Sequence, residues 1–266
     1  MKRLVLFLMI FGLTATVAFS QKTETRQVSG FTGINASSVF NITIAKGNTE
    51  SLVIEADNNV MPYVRSEVKD GVLNLYLSND KQQVNIKTLK ATIVMKDLNK
   101  VTLSGVCNLT AKDLFTPEKF KADCSGVSNM DVNLNTGQLS IEASGASTVT
   151  IKANVTGDAG LDVSGTSAIK GGLKANNVNF SSSGNCSIEL TGSAADIKIN
   201  ASGTSNINAV NFIVKTATIE ASGVCKITAN VTDALKVNSS GVSSVSYKGS
   251  PSLDVSSSKM AKVNKI

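Results

Sequence analysis

From residue 101 onward, apolar and polar residues alternate in short runs that restart about every twenty positions. The restart is marked by Ser-Gly, with glycines at Gly105, Gly126, Gly145, Gly165, Gly184, Gly203, Gly223 and Gly241, spaced 18 to 21 residues apart. Four residues before these glycines stand Val101, Ala122, Ile141, Leu161, Phe180, Ile199, Ile219 and Val237; four after stand Leu109, Met130, Val149, Ile169, Ile188, Ile207, Ile227 and Val245. Every one is apolar. Three before the glycines the chain is polar: Thr102, Asp123, Glu142, Asp162, Ser181, Asn200, Glu220 and Asn238. A period of two on both sides of a fixed glycine predicts two short strands meeting at a corner, where glycine accepts a positive φ without a Cβ clash.

One such block cannot bury its own apolar face, so a fixed repeat of this length predicts stacking into a solenoid. The expected fold is all-β: a single-stranded right-handed parallel β-helix of ~20 residues per coil and about eight coils, on the order of 35–40 Å long at ~4.8 Å per coil. A leucine-rich repeat shares the period, but it needs a leucine consensus and usually a helical return, and neither is present. At the far end Leu253, Val255 and Val263 keep the apolar positions while Lys259 replaces the corner glycine. A degenerate last repeat with Lys259, Lys262 and Lys265 is what blunts an open sheet edge.

Residues 21–100 do not show the Ser-Gly repeat and read as a β-rich head or cap, continuous with the repeat region at 101–266. Apolar alternation at Phe40, Ile42 and Ile44, at Leu52, Ile54 and Ala56, and at Leu73, Leu75 and Leu77 predicts strands. Lys46-Gly47-Asn48 and Lys69-Asp70-Gly71 supply turns, and Asn59 to Glu67 is expected to form one short helix. Residues 1–20 read as a signal peptide: Lys2 and Arg3, an apolar Leu4 to Leu13, and Ala18-Phe19-Ser20 before a cut at Gln21. The mature chain is expected in the periplasm, on the outer surface or outside the cell, with no other run long enough to span a bilayer.

Charge narrows the partners. The formal net charge of +6 falls to +4 without Lys2 and Arg3, and acids and bases are interspersed, so there is no nucleic-acid footprint. Histidine is absent, which excludes Ser-His-Asp and Cys-His catalysis. No phosphate-cradling or dinucleotide loop appears, so no cofactor is expected. Of the four cysteines, Cys107, Cys186 and Cys225 fall two residues after a corner glycine, where Ser128, Ser147, Ser167, Ser205 and Ser243 stand in other repeats. Cys186 and Cys225 are two coils apart, about 9.6 Å at the coil spacing, beyond the ~7 Å reach of a disulfide. Cys124 lies in another small-residue column, two before its glycine. Four reduced, buried thiols are expected.

The residual chemistry is an outward carboxylate column, Asp123, Glu142 and Asp162, on three successive coils. It could bridge Ca²⁺ or serve a polysaccharide-acting enzyme. A solvated face with Lys121 offsetting the charge is the plainer reading. The outward columns are otherwise Ser, Thr, Asn and Lys, such as Asn108, Asn129, Thr148, Ala168, Ser187, Asn206, Lys226 and Ser244. They suit repeated weak hydrogen bonds to a glycan or a matrix or cell-surface polymer. The expected role is therefore non-enzymatic.

Phe31-Thr-Gly33-Ile34-Asn35, Ile54-Glu-Ala-Asp57-Asn58-Asn59 and Val68-Lys-Asp70-Gly71-Val72-Leu73 carry a further likeness. With the Ser-Gly repeats behind them, they resemble the putative auto-transporter adhesin, head GIN domain family over nearly all of the mature chain. The resemblance implies an exported, Bacteroidetes-type protein of the cell envelope or surface, with a β-helical body and an adhesin or scaffold role. It brings no catalytic residues. The C-terminal barrel that an autotransporter would need is not visible in the repeat pattern.

Overall fold

A computed structural model describes residues 21–78 and 85–266. The signal peptide expected at 1–20 lies outside the described residues. The described chain is a β-solenoid of about nine turns built from stacked parallel strands. Each turn has two strands, as in Gln138–Ala143 and Thr148–Val155, separated by the Ser-Gly corner. A second corner, at Gly137 and Gly157 in successive coils, returns the chain to the first sheet. Register is direct: Ile188 lies beside Ile207, and Ile207 beside Ile227, in parallel pairing.

The two apolar columns on either side of the corner form the core, and none of their sixteen members is more than 2 % exposed. The eight corner glycines have φ between 67° and 99°. Each sits directly on the corner before it: a Cβ on Gly145 would lie 2.6 Å from the Gly126 carbonyl oxygen, and one on Gly165 2.6 Å from that of Gly145. Those carbonyls accept the N–H one residue past the next corner, as from Ala146 to Gly126 at 2.8 Å and Thr166 to Gly145 at 2.7 Å.

The stacking starts one turn earlier than the glycines mark. Gly33–Ala36 and Asn41–Lys46 form a coil on which Lys100–Leu103 and Asn108–Phe115 stack in parallel. Its corner is Ser38, at φ 82°, and its carbonyl accepts from Val106 N–H at 2.7 Å. A side chain is tolerated there because, among the described residues, no earlier corner lies against it. The neighbouring strand Val72–Leu77 is followed by Ser78, whose N–H goes to the Tyr63 carbonyl at 2.9 Å. Ser38 and the eight glycines thus make nine successive corners, followed by the final coil of Ser252–Ser257 and Lys262–Lys265.

Residues 47–78 and 85–98 close this end. Leu89–Met95 pairs in parallel with Asn41–Lys46, then antiparallel with Ser51–Asp57, which pairs antiparallel with Gln21–Arg26. The Asp57 carboxylate accepts from the Lys87 and Thr88 N–H groups at 2.7 and 3.0 Å. The Thr88 and Lys87 bonds hold its carboxyl below the ordinary aspartate value. The helix expected over Asn59 to Glu67 is corrected to a single 3-10 turn, Met61–Tyr63. Val64–Lys69 instead forms a hairpin with Val72–Leu77, Lys69 opposite Val72. Positive φ at both Asp70 and Gly71 makes the two-residue turn that suits twisted strands and overrides local helical spacing.

All four cysteines are free and buried. Three share one local bond with the serines of their column. Cys107, Cys186 and Cys225 donate to the carbonyls of Ser104, Ser183 and Ser222 at 3.2, 3.1 and 3.0 Å. Ser128, Ser147 and Ser205 donate to Ser125, Ser144 and Ser202 at 2.7, 2.8 and 2.9 Å. A small donor two residues past the glycine closes the corner on the carbonyl before it. Thiol and hydroxyl do the same task there.

Two outcomes follow. Gly145→Ala should destabilise the protein more than Gly71→Ala. Both positions have positive φ, but a Cβ on Gly71 meets nothing within 4 Å. Strain at φ > 0 costs about 1–3 kcal/mol in either case, and Gly145 adds the backbone clash; thermal melts by circular dichroism check the order. Burial pushes the Cys107 and Cys186 thiols up and that of Cys124 to about 12. Unfolded thiols titrate near 9, so this contribution is intact below pH 9 and is lost as pH rises toward 12. A thiol reagent at pH 8 should label no cysteine in the native protein and four after denaturation.

Candidate functional site

The first-sheet strands present a column that is polar throughout. Asp123 pairs with Glu142 and Glu142 with Asp162, so the three expected carboxylates do lie side by side on successive coils. The same register continues through Ser181, Asn200, Glu220, Asn238 and Ser256. The next residue along each strand is small and mostly inward: Cys124, Ala143, Val163, Ser182, Ala201, Ala221, Ser239 and Ser257. The serine before the corner follows. Between the outward column and this serine ridge runs a groove of about 1210 Å³, lined from Asp123 to Ser258. Eight stacked strands make it about 34 Å long at ~4.8 Å per step.

Its electrostatics are uneven. Lys121 Nζ stands 3.1 Å from Glu142 Oε1 and 3.5 Å from Asp123 Oδ1. The Glu142 hydrogen bond, followed by the charge of Asp123, raises the lysine above its ordinary value. Glu220 has Lys198 at 3.9 Å. Asp162 is exposed, and among the described residues no lysine or arginine forms an ion pair with it. Further along the groove, Asn200 Oδ1 is a buried acceptor without a hydrogen-bond partner. Asp123, Glu142 and Glu220 have lysine as counter-charge, and among the described residues no group of three or more His, Cys, Asp or Glu side chains is arranged to hold a metal ion.

The second-sheet column three residues past the corner forms a ladder. Asn129 Nδ2 donates to Asn108 Oδ1 at 2.7 Å, and Asn108 Nδ2 to Asn41 Oδ1 at 2.9 Å. These amides satisfy one another along the axis, which leaves them less free for a ligand than the groove. Sequence reasoning placed the carboxylates but not the groove. The available signal was the column of small residues two before each glycine, which lowers the floor between two polar walls.

This arrangement defines a two-sheet β-solenoid with an axial polar groove. The chain belongs to the family described as "Putative auto-transporter adhesin, head GIN domain", whose model matches residues 30–157 and again 151–251. Three solved structures share the fold. A putative adhesin from Parabacteroides merdae is 22 % identical with a TM-score of 0.68, covering 92 % of this chain and 96 % of that one. A putative adhesin from Parabacteroides distasonis is 21 % identical with a TM-score of 0.61, covering 93 % and 97 %. A protein from the same species described as a putative lipid binding protein is 19 % identical with a TM-score of 0.66, covering 92 % and 96 %. No curated protein matches the chain. Among the described residues no helix is long and apolar enough to cross a membrane.

Lys121→Gln should lower the melting temperature at low ionic strength, because it leaves stacked carboxylates facing one another. The loss should shrink toward zero near 1 M salt, where the screening length is about 3 Å. Parallel melts of both proteins across a salt series give the comparison.

Proposed function

We propose that this is an exported, non-catalytic adhesion or scaffold protein of the cell envelope or surface, which holds an extended glycan or matrix polymer along the first-sheet groove. The groove itself carries the reading: it is long, open and lined by hydroxyls, amides and carboxylates. Such a surface suits a linear ligand with many hydroxyls, bound by repeated weak hydrogen bonds at the coil spacing. Membership of an adhesin family supports it, and so does the lack of any histidine for the commonest hydrolytic triads. Aromatic platforms do not contribute, since Phe120 and Phe180 are buried at inward positions. Specificity then rests on the polar columns, and affinity on how many coils the ligand spans.

A screen of purified glycans and matrix proteins against the mature chain tests this. A ligand found there should bind at least tenfold more weakly to Ser181→Trp, which fills the exposed middle of the groove. It should bind unchanged to Lys152→Trp on the opposite sheet. Equal loss in the two variants, or in neither, would remove the groove from the account. The polymer should also come through the incubation intact. If it is shortened, and Asp123→Asn or Asp162→Asn stops the shortening, the carboxylates are catalytic and the protein is a polysaccharide-acting enzyme.

A further inference from the structure

We propose that a cavity at the N-terminal end of the groove is a subsite for one neutral sugar ring, which packs on Tyr76 while the rest of a glycan runs on along the groove. That role rests on the glycan reading of the groove and names the class of sugar it takes. The first sheet does not stop at Asp123. Its outward column runs back through Thr102 and Asn35 to Asn74 in continuous parallel register. The serine ridge runs back with it: Ser125 N–H donates to the Leu103 carbonyl, Ser104 to Ala36 and Ser37 to Leu75, at 2.8, 2.9 and 3.0 Å. The residue after Leu75 is Tyr76, so a large aromatic side chain stands where the strands from Ser37 to Ser240 each have a serine. Asn35, Ser37, Glu67, Asn74, Tyr76 and Ser104 line a cavity of about 590 Å³ there.

The walls select the ligand. Every described phenylalanine is buried, and so is Tyr247. Tyr63 and Tyr76 are half-buried, and of these two rings Tyr76 lines the cavity. Its Oη donates to Glu67 Oε1 at 3.4 Å, which ties the ring tip to the neighbouring strand Val64–Lys69. A half-buried ring held at its tip offers an apolar surface to the C–H face of a pyranose, and polar groups around it take the hydroxyls. Asn35 Nδ2 donates to Asn74 Oδ1 at 2.9 Å, and Asn74 Nδ2 to the Val72 carbonyl at 3.1 Å, so the amide pair is braced. Glu67, Ser37 and Ser104 add a carboxylate and two hydroxyls for the sugar. Charge excludes an acidic sugar. The described lining residues include no lysine or arginine, and Arg65, opposite Tyr76, gives its guanidinium to the Pro62 carbonyl at 2.6 Å. A uronate or a sulfate would therefore meet the Glu67 carboxylate with no cation between them.

The test is calorimetric titration of the mature chain with neutral hexasaccharides of glucose, mannose, galactose and N-acetylglucosamine, and with hexagalacturonate. At least one neutral hexasaccharide should bind, and more tightly than hexagalacturonate. Tyr76→Ala should weaken it at least tenfold with an unchanged melt, since the ring is only half-buried. Tyr76→Phe keeps the ring and should stay within threefold. The disaccharide of the same sugar should also bind at least tenfold more weakly to Tyr76→Ala. It should bind unchanged to Ser181→Trp, which lies six strand steps away, about 29 Å at the coil spacing. The proposal is overturned if no neutral sugar binds, if hexagalacturonate binds more tightly, or if Tyr76→Ala binds like the unaltered chain. It is equally overturned if Tyr76→Phe loses as much as Tyr76→Ala. The subsite and the groove fail separately. A hexasaccharide weakened by Ser181→Trp alone keeps the groove and removes the subsite, whereas one weakened by Tyr76→Ala alone keeps the subsite and removes the groove.

Discussion

The structure depends on one contact, the laying of each corner peptide flat upon the corner below it. That contact needs a positive φ and no Cβ, because the space a Cβ would fill is taken by the carbonyl oxygen of the preceding corner. The same oxygen accepts the N–H that follows the next corner, as between Val127 and Gly105 at 2.7 Å and Val224 and Gly203 at 2.8 Å. Steric exclusion and hydrogen bonding therefore fix one register at every turn. With the corners aligned, residues at equal distance from a glycine must stack, whatever they are. A one-residue slip would send every apolar column to the outside.

Columns are accordingly the unit in which this chain can carry chemistry. An inward column selects size: Cys107 and Ser128 exchange freely because each is small and each donates to the carbonyl three residues back. An outward column is repeated at about 4.8 Å, so it either neutralises itself or remains available. The asparagines of the second sheet neutralise themselves through side-chain bonds. The first-sheet column does so only in part, with Lys121 shared between two carboxylates and Asp162 in no ion pair among the described residues. The groove forms beside that incompletely satisfied column, where the small residues two before the glycines lower the floor. Binding capacity in such a scaffold grows with the number of coils contacted, which suits polymers better than small molecules.

Much of this was legible in the sequence because the repeat is a sum of local choices. Glycine at the corner, apolar residues four positions to either side and small donors two positions after it each have a local reason, and together they imply the core and the free thiols. What was not legible depends on neighbours. The first described corner is Ser38, which carries no glycine because among the described residues no earlier corner presses on it, so the Ser-Gly repeat begins one turn late. Val64–Lys69 has spacing compatible with a helix, yet the turn at Asp70 and Gly71 commits it to a hairpin with Val72–Leu77. The groove arises between columns that were read separately, and a concavity is a property of their relative heights.

The two ends show how one architecture reaches different solutions to the open-edge problem. At the N-terminal end the described residues between 47 and 98 include strands that turn antiparallel, and these stop the parallel stack and bury its last apolar layer. Antiparallel pairing can do this because short turns let a strand fold straight back, whereas another parallel strand needs a full coil and exposes a fresh edge. At the C-terminal end the parallel stack simply runs on until its side chains change. Lys259 takes the corner and Lys265 an inward position, but Leu253 and Val255 keep the pattern of a coil that expects a neighbour. Lysines on an edge oppose pairing with another copy of themselves, so the charge that replaces the corner glycine discourages self-association.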